Sequence, residues 1–181
     1  MFKDIKNSFP VYTKNPKLVF LDTAASALKP ESVIKTINDC YAYEYSNIHR
    51  GLYSLSANLT KKYEEVRLKI SKFISAESAE NVVFTKSATE AINLVVETYS
   101  EKFFSTGDEV IISYLEHHSN IVPWHMASKK YGFKVIAAEI TEEGSIDVKD
   151  LIEKINNKTK FISLTHMSNV TGSITNFEKI S

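Results

Sequence analysis

The sequence predicts an α/β protein with a mainly parallel sheet and helices on both faces. Apolar runs of strand length alternate with longer stretches at helical spacing between Val82 and Leu164. Three short motifs, Ser87-Ala88-Thr89-Glu90, Glu116-His117-His118 and Thr165-His166-Met167-Ser168-Asn169-Val170, each close a run that reads as a strand. Open α/β sheets build ligand sites at that position. The chain has 181 residues, 43% hydrophobic and 24% charged, the profile of one soluble globular domain long enough to bury a core.

The elements follow in order. Leu18-Val19-Phe20-Leu21 is a short apolar run. Pro30 opens a helix with Val33, Ile34, Ile37 and Tyr41 on one face. Asn47 to Ser54 is irregular and holds His49-Arg50-Gly51. A second helix carries Leu59, Tyr63, Val66, Ile70 and Phe73 at helical spacing, with charges opposite. Val82-Val83-Phe84-Thr85 reads as a strand, and Ile92, Val95, Val96, Tyr99 and Phe103 mark the helix after it. Gly107-Asp108 turns the chain into the strand Val110-Ile111-Ile112. A helix around Ile121 to Tyr131 leads to the strand Lys134-Val135-Ile136-Ala137. Asp147 caps a helix through Leu151, Ile152 and Ile155. Lys160 to Leu164 is the last clear strand, and Asn176 to Ile180 has the pattern of a further helix start.

Composition narrows the function classes. With 22 basic and 22 acidic residues the formal net charge is zero, so neither nucleic acid nor a membrane surface is an expected partner. The single cysteine, Cys40, allows no internal disulfide and points to a reducing compartment. The N-terminus has no secretory h-region and no apolar stretch reaches the length of a membrane span. The expected location is the cytoplasm.

Each motif has an ordinary structural role beside a functional one. Ser87-x-x-Glu90 is a capping box; the helix end it organises also offers free N–H groups and a positive dipole to a phosphate, with Ala88 small and Thr89 adding a hydroxyl. Neighbouring side chains on extended backbone point to opposite sides, so only one of His117 and His118 faces a given pocket. A His there can stack on a pyridine ring and move protons near neutrality. His125 and His166 raise a metal site as an alternative, but the spacing matches no zinc pattern, and no metal is expected. Asn169 suits a turn, or an amide bond to a cofactor oxygen. Arg50 can clamp a carboxylate or stand as a surface charge.

Taken together, these residues resemble the pyridoxal-phosphate-dependent class V aminotransferase family of fold type I, and within it the Suf-type, NifS-like cysteine desulfurases and selenocysteine lyases. The matching runs are Phe20 to Ala27 with Lys29-Pro30, His49-Arg50-Gly51 with Leu55-Ser56-Ala57, Val83-Phe84-Thr85 with Ala88 to Val95, Glu116 to Trp124, and Thr165 to Gly172. Their order and spacing over about 150 residues make the resemblance specific.

The resemblance implies a fold type I large domain, present in part. Residues 1–55 would form an N-terminal segment with active-site loops, and 56–181 the first portion of the domain that binds pyridoxal 5'-phosphate. Ala88 and Thr89 would hold the cofactor phosphate, His117 would stack on the ring, and Asn169 would bond its phenolic oxygen. Ala25, His49 and Arg50 would lie near the substrate, in an enzyme that forms homodimers. The parent reaction would take sulfur from cysteine, giving alanine and an enzyme persulfide.

The family pattern continues with an acidic partner for the pyridine nitrogen, a Ser-x-His-Lys segment carrying the Schiff-base lysine, a nucleophilic cysteine and a substrate-binding arginine. None occurs before Ser181. Lys86 and Cys40 match neither the lysine nor the cysteine position. The cofactor needs its lysine and ring-nitrogen partner to act as an electron sink, and sulfur transfer needs a thiolate. The expectation is therefore an inactive lone chain: a fragment, a split-gene or pseudogene product, or one half of a two-chain enzyme whose C-terminal half is separately encoded. The alternative is a non-catalytic binding or interaction module.

Overall fold

The computed structural model describes residues 5–180. The chain divides into two compact units, Met1–Val83 and Phe84–Ser181.

The first unit contains α1 (Val11–Lys14), α2 (Glu31–Asp39) and α3 (Ser54–Phe73). Pro30 stands just before α2 rather than inside it, with extended backbone, and its carbonyl accepts the N–H groups of Val33 and Ile34. Cys40 is half-buried where α2 loosens into a single π turn, Cys40–Glu44. The apolar stripes read from the sequence are helical but largely uncovered. Tyr41 is 71% and Phe73 87% exposed, and Val33, Ile34, Ile37 and Val66 are also exposed. Among the described residues of this unit, Val82 is the one buried apolar side chain. Spacing sets which face of a helix is apolar; it does not supply the surface that covers it.

The second unit contains α4 (Ala88–Phe103), β1 (Glu109–Ser113), α5 (Val122–Tyr131), β2 (Lys134–Ala138), α6 (Val148–Lys154) and β3 (Thr159–Ile162). The three strands form one parallel sheet in the order β2-β1-β3. Alternation along the strands separates two cores, as the period of two requires. Val110, Ile112, Val135, Ala137 and Phe161 face Val96 of α4 and Trp124 and Ala127 of α5. Ile111, Ile136, Ala138 and Ile162 face Leu151 of α6. Helices therefore cover both faces of β1. Asp147 caps α6, its carboxylate accepting the N–H groups of Lys149 and Asp150 at 3.0 and 3.1 Å. Gly132 closes α5 with a left-handed backbone (φ 79°), the usual glycine terminator.

Two local expectations are corrected. Val82 to Thr85 is not in a strand among the described residues. The Val82 carbonyl is taken by the Arg67 guanidinium. The apolar run Leu18 to Leu21 is irregular, with Val19 and Leu21 exposed. Near the end of the chain, Phe177–Lys179 is a single 3-10 turn rather than the start of a longer helix.

Candidate functional site

Four of the residues singled out in the sequence lie in the second unit, each on a segment next to the sheet or on α4. The first pair opens α4. The capping box forms: Ser87 Oγ accepts the Glu90 N–H at 3.2 Å. The Glu90 carboxylate reaches back to the N–H of Lys86 at 2.5 Å, one residue earlier than the usual reciprocal partner. With Ser87 and Glu90 serving each other's ends, the N–H groups of Ala88 and Thr89 have no partner among the described residues, and both residues are exposed. A helix of 16 residues thus begins with two open donors and a free Thr89 hydroxyl.

His117 follows β1. It caps the short turn His118–Asn120, its Nδ1 accepting the Ser119 N–H at 3.1 Å and sharing a bond of 2.9 Å with Ser119 Oγ. The ring is therefore oriented through Nδ1, and the residue is exposed. His118 is exposed too, its ring plane 85° from that of His117. The two rings meet edge to face, with centroids 6.1 Å apart.

Asn169 follows β3 in the turn 169–171. The turn exists, but Asn169 does not make it. The buried Ser168 does, its Oγ accepting the N–H groups of Val170 and Thr171, both at 3.2 Å. An antiparallel bridge between Met167 and Ile174 closes the base. The Asn169 amide is left exposed and unengaged.

Ala25, His49 and Arg50 lie in the first unit, on a different body from the other four. Ala25 is exposed in a tight turn whose N–H groups return to the Asp22 carbonyl. His49 has φ 70°, an uncommon conformation for a residue with a side chain. Its N–H is held by Thr60 Oγ1 at 2.9 Å and its Nε2 lies 3.4 Å from Glu64 Oε1. Ser56 Oγ donates to the Asn47 carbonyl at 2.8 Å. The Arg50 loop is thereby tied to the first turns of α3, and Arg50 itself is exposed.

The sequence reasoning missed a buried polar network beneath the His117 loop. Glu116 Oε1 accepts Ser113 Oγ–H at 2.6 Å and the Thr165 N–H at 2.8 Å; Oε2 accepts Asn120 Nδ2–H at 2.8 Å. Asn120 also donates to the Ser163 carbonyl at 3.1 Å. Its Oδ1 accepts Trp124 Nε1–H at 3.1 Å and Ser163 Oγ–H at 2.6 Å. Glu116 and Asn120 are one helical turn apart in number, and both flank a motif already of interest. That spacing was the available signal, but the partners Thr165 and Ser163 are more than 40 positions away.

Residues 19–181 match the Aminotransferase class-V family. The chain belongs to the class-V aminotransferase family. Among curated class-V relatives, the cysteine desulfurase of Dickeya dadantii is 41% identical over 173 residues, covering 94% of this chain and 42% of the relative. Two solved structures have the same fold. The apo cysteine desulfurase of Thermococcus onnurineus NA1 superposes with TM-score 0.90 at 32% identity, over 98% of this chain and 43% of that one. The cysteine desulfurase CsdA of Escherichia coli, in an S-sulfonic acid form, superposes with TM-score 0.85 at 34% identity, over 98% and 44%. The chain spans about a third to under half of the length of the relatives it matches. No helix among the described residues is long and apolar enough to cross a membrane.

Proposed function

We propose that these 181 residues form the phosphate-, ring- and oxygen-binding part of a cysteine desulfurase pocket for pyridoxal 5'-phosphate. The observation that carries this reading is the set of unspent donors in the second unit. The Ala88 and Thr89 N–H groups, the Thr89 hydroxyl, the Asn169 amide and the exposed His117 ring are left over after local structure has been satisfied. Their chemistry fits the group. Helix N–H donors and a hydroxyl suit a phosphate dianion, an amide N–H suits a phenolate oxygen, and an imidazole can lie on a pyridine face. When bound, the cofactor supplies the electron sink for breaking bonds next to the amino-acid nitrogen.

This chain's own residues then have binding work to do. Ala88 and Thr89 anchor the phosphate, and Asn169 orients the ring. His117 covers one ring face and, with Nδ1 held by Ser119, holds or releases a proton at Nε2. Ala25, His49 and Arg50 are assigned to the vicinity of the substrate amino acid, and the substrate-binding arginine of the family to sequence outside these residues. The cofactor-linking lysine, the partner of the ring nitrogen and the sulfur-accepting cysteine are assigned to sequence outside these 181 residues, on the same or a separate chain. Lys86 and Cys40 fill neither role: neither matches the family's lysine or cysteine position, and Cys40 sits half-buried at the end of α2. The working location is the reducing cytoplasm, and the assembled enzyme is a homodimer.

The test uses the 181-residue chain. Equilibrium dialysis is expected to show reversible binding of pyridoxal 5'-phosphate, weakened by Thr89→Val and by Asn169→Ala and competed by inorganic phosphate. Incubation with cysteine and the cofactor is expected to release no alanine above the protein-free rate. Cofactor binding indifferent to both substitutions would overturn the site, and alanine release would overturn the division of labour.

A further inference from the structure

We infer that Glu116 and Asn120 are positioning residues that set the spacing between the His117 loop and the segment carrying Asn169. The inference rests on the pocket reading above and adds residues to it that touch no ligand.

Glu116 is a buried carboxylate that forms no ion pair with a cation among the described residues. Removing such a charge from water is costly unless hydrogen bonds replace the lost hydration. Here the donors come from separate places in the chain: Ser113 at the end of β1, Asn120 in the turn after His117, and the Thr165 backbone past the end of β3. A carboxylate can accept all of them because it carries no donor of its own. A glutamine cannot, since its NH2 must face one of these donors.

Asn120 is equally constrained. Both amide hydrogens and two acceptor positions on Oδ1 are in use, so its orientation has one solution, and Trp124 locks it from the core side. The consequence falls on the two loops. His117 lies between Glu116 and Asn120, and its carbonyl accepts the Asn120 N–H at 2.8 Å. Thr165 is pinned at its N–H by Glu116, while its carbonyl accepts Thr175 Oγ1–H at 2.7 Å. The segment leading to Asn169 therefore starts from a point that Glu116 fixes relative to His117. Networks of this kind rigidify when every member is satisfied and fail when one is not.

The decisive variant is Glu116→Ala in the 181-residue chain, which removes both acceptor oxygens, with amide exchange and cofactor dialysis as paired readouts. Exchange at Thr165 is expected to rise tenfold or more while the β2 amides of Ile136 and Ala138, which face β1, change less than twofold. The dissociation constant for pyridoxal 5'-phosphate is expected to rise at least tenfold. Ser113→Ala, which removes one donor and leaves the Thr165 bond, is expected to shift both readouts about threefold and serves where Glu116→Ala does not fold. Unchanged Thr165 protection, or faster exchange at Thr165 with unchanged cofactor affinity, overturns the inference. If the wild-type chain binds no cofactor, the pocket reading falls by itself, and the Thr165 exchange still decides whether Glu116 ties the loops.

Discussion

Trp124→Phe is the most informative single test of the second unit. Trp124 is 0% exposed, and its rings lie 5.0 Å from Phe161 and 6.4 Å from both Phe104 and Phe133 by centroid. Phenylalanine keeps the benzene-sized part of this cluster and deletes two ring carbons and the N–H. Asn120 Oδ1 loses one of two donors but keeps Ser163 Oγ–H at 2.6 Å, so it is not left unsatisfied. The lost bond then costs about 0.5–1.5 kcal/mol rather than a full desolvation penalty. Two buried carbons add roughly 1.6 kcal/mol at ~0.8 kcal/mol each. The sum is about 2–3 kcal/mol, with incomplete relaxation pushing toward the upper end. Because the chain has two compact units, a single global melting curve is a poor reporter. Amide exchange of Val110, Ile111 and Ile112 reads the stability of this sheet directly, and roughly 30- to 150-fold faster exchange is expected at a factor of ten per 1.4 kcal/mol. A change below about threefold would show that the indole is not closing the core against Asn120, and would refute the packing argument.

The remaining predictions test separate parts of the chain. Ser87→Ala removes the α4 cap and is expected to cost about 1 kcal/mol, seen as faster exchange at the Glu90 amide, with weaker cofactor binding following from the frayed helix end. A Cβ at Gly51 would fall 2.2 Å from Ser56 Oγ and 2.4 Å from Ser56 Cβ. Gly51→Ala is therefore expected to cost about 1–3 kcal/mol locally and to expose the His49 amide, now held by Thr60, to exchange. The Asp150 carboxylate is held below its ordinary pKa, first by its hydrogen bond with Lys154 and then by the Glu139 N–H, and Lys154 is raised by the same bond. Asp150 thus binds its proton less readily when folded, so its contribution is present above the unfolded-state pKa of about 4 and fades as pH falls through the lower folded value. The Lys154 contribution is present below the ordinary lysine range and fades above it. The gap in amide-exchange protection of Val110 to Ile112 between wild type and Asp150→Asn is expected to be widest near neutral pH and to narrow at both extremes; a gap independent of pH would sink this account.

Much of the second unit was legible in the sequence because its signals are local. β1, β2 and β3 appear where apolar runs predicted them, Asp147 caps α6, and Ser87 with Glu90 builds the cap that leaves Ala88 and Thr89 open. The run Val82 to Thr85 looked equally strand-like and is not in a strand. A strand needs a partner, and a short apolar run says nothing about whether one is available. The stripes on α2 and α3 fail for a related reason: periodicity identifies the apolar face, while burial depends on what lies against it.

The sequence by itself determined the family, the strand–helix alternation and the candidate residues Thr89, His117 and Asn169, because these rest on residue type and near-neighbour spacing. Only the tertiary structure decided which of their groups remain unspent. It assigned the turn beside Asn169 to Ser168, turned His117 through Ser119, and placed Glu116 where it receives a donor from a residue 49 positions away. Hydrogen-bond saturation is a property of groups brought together in space, so it is invisible until distant strands are side by side.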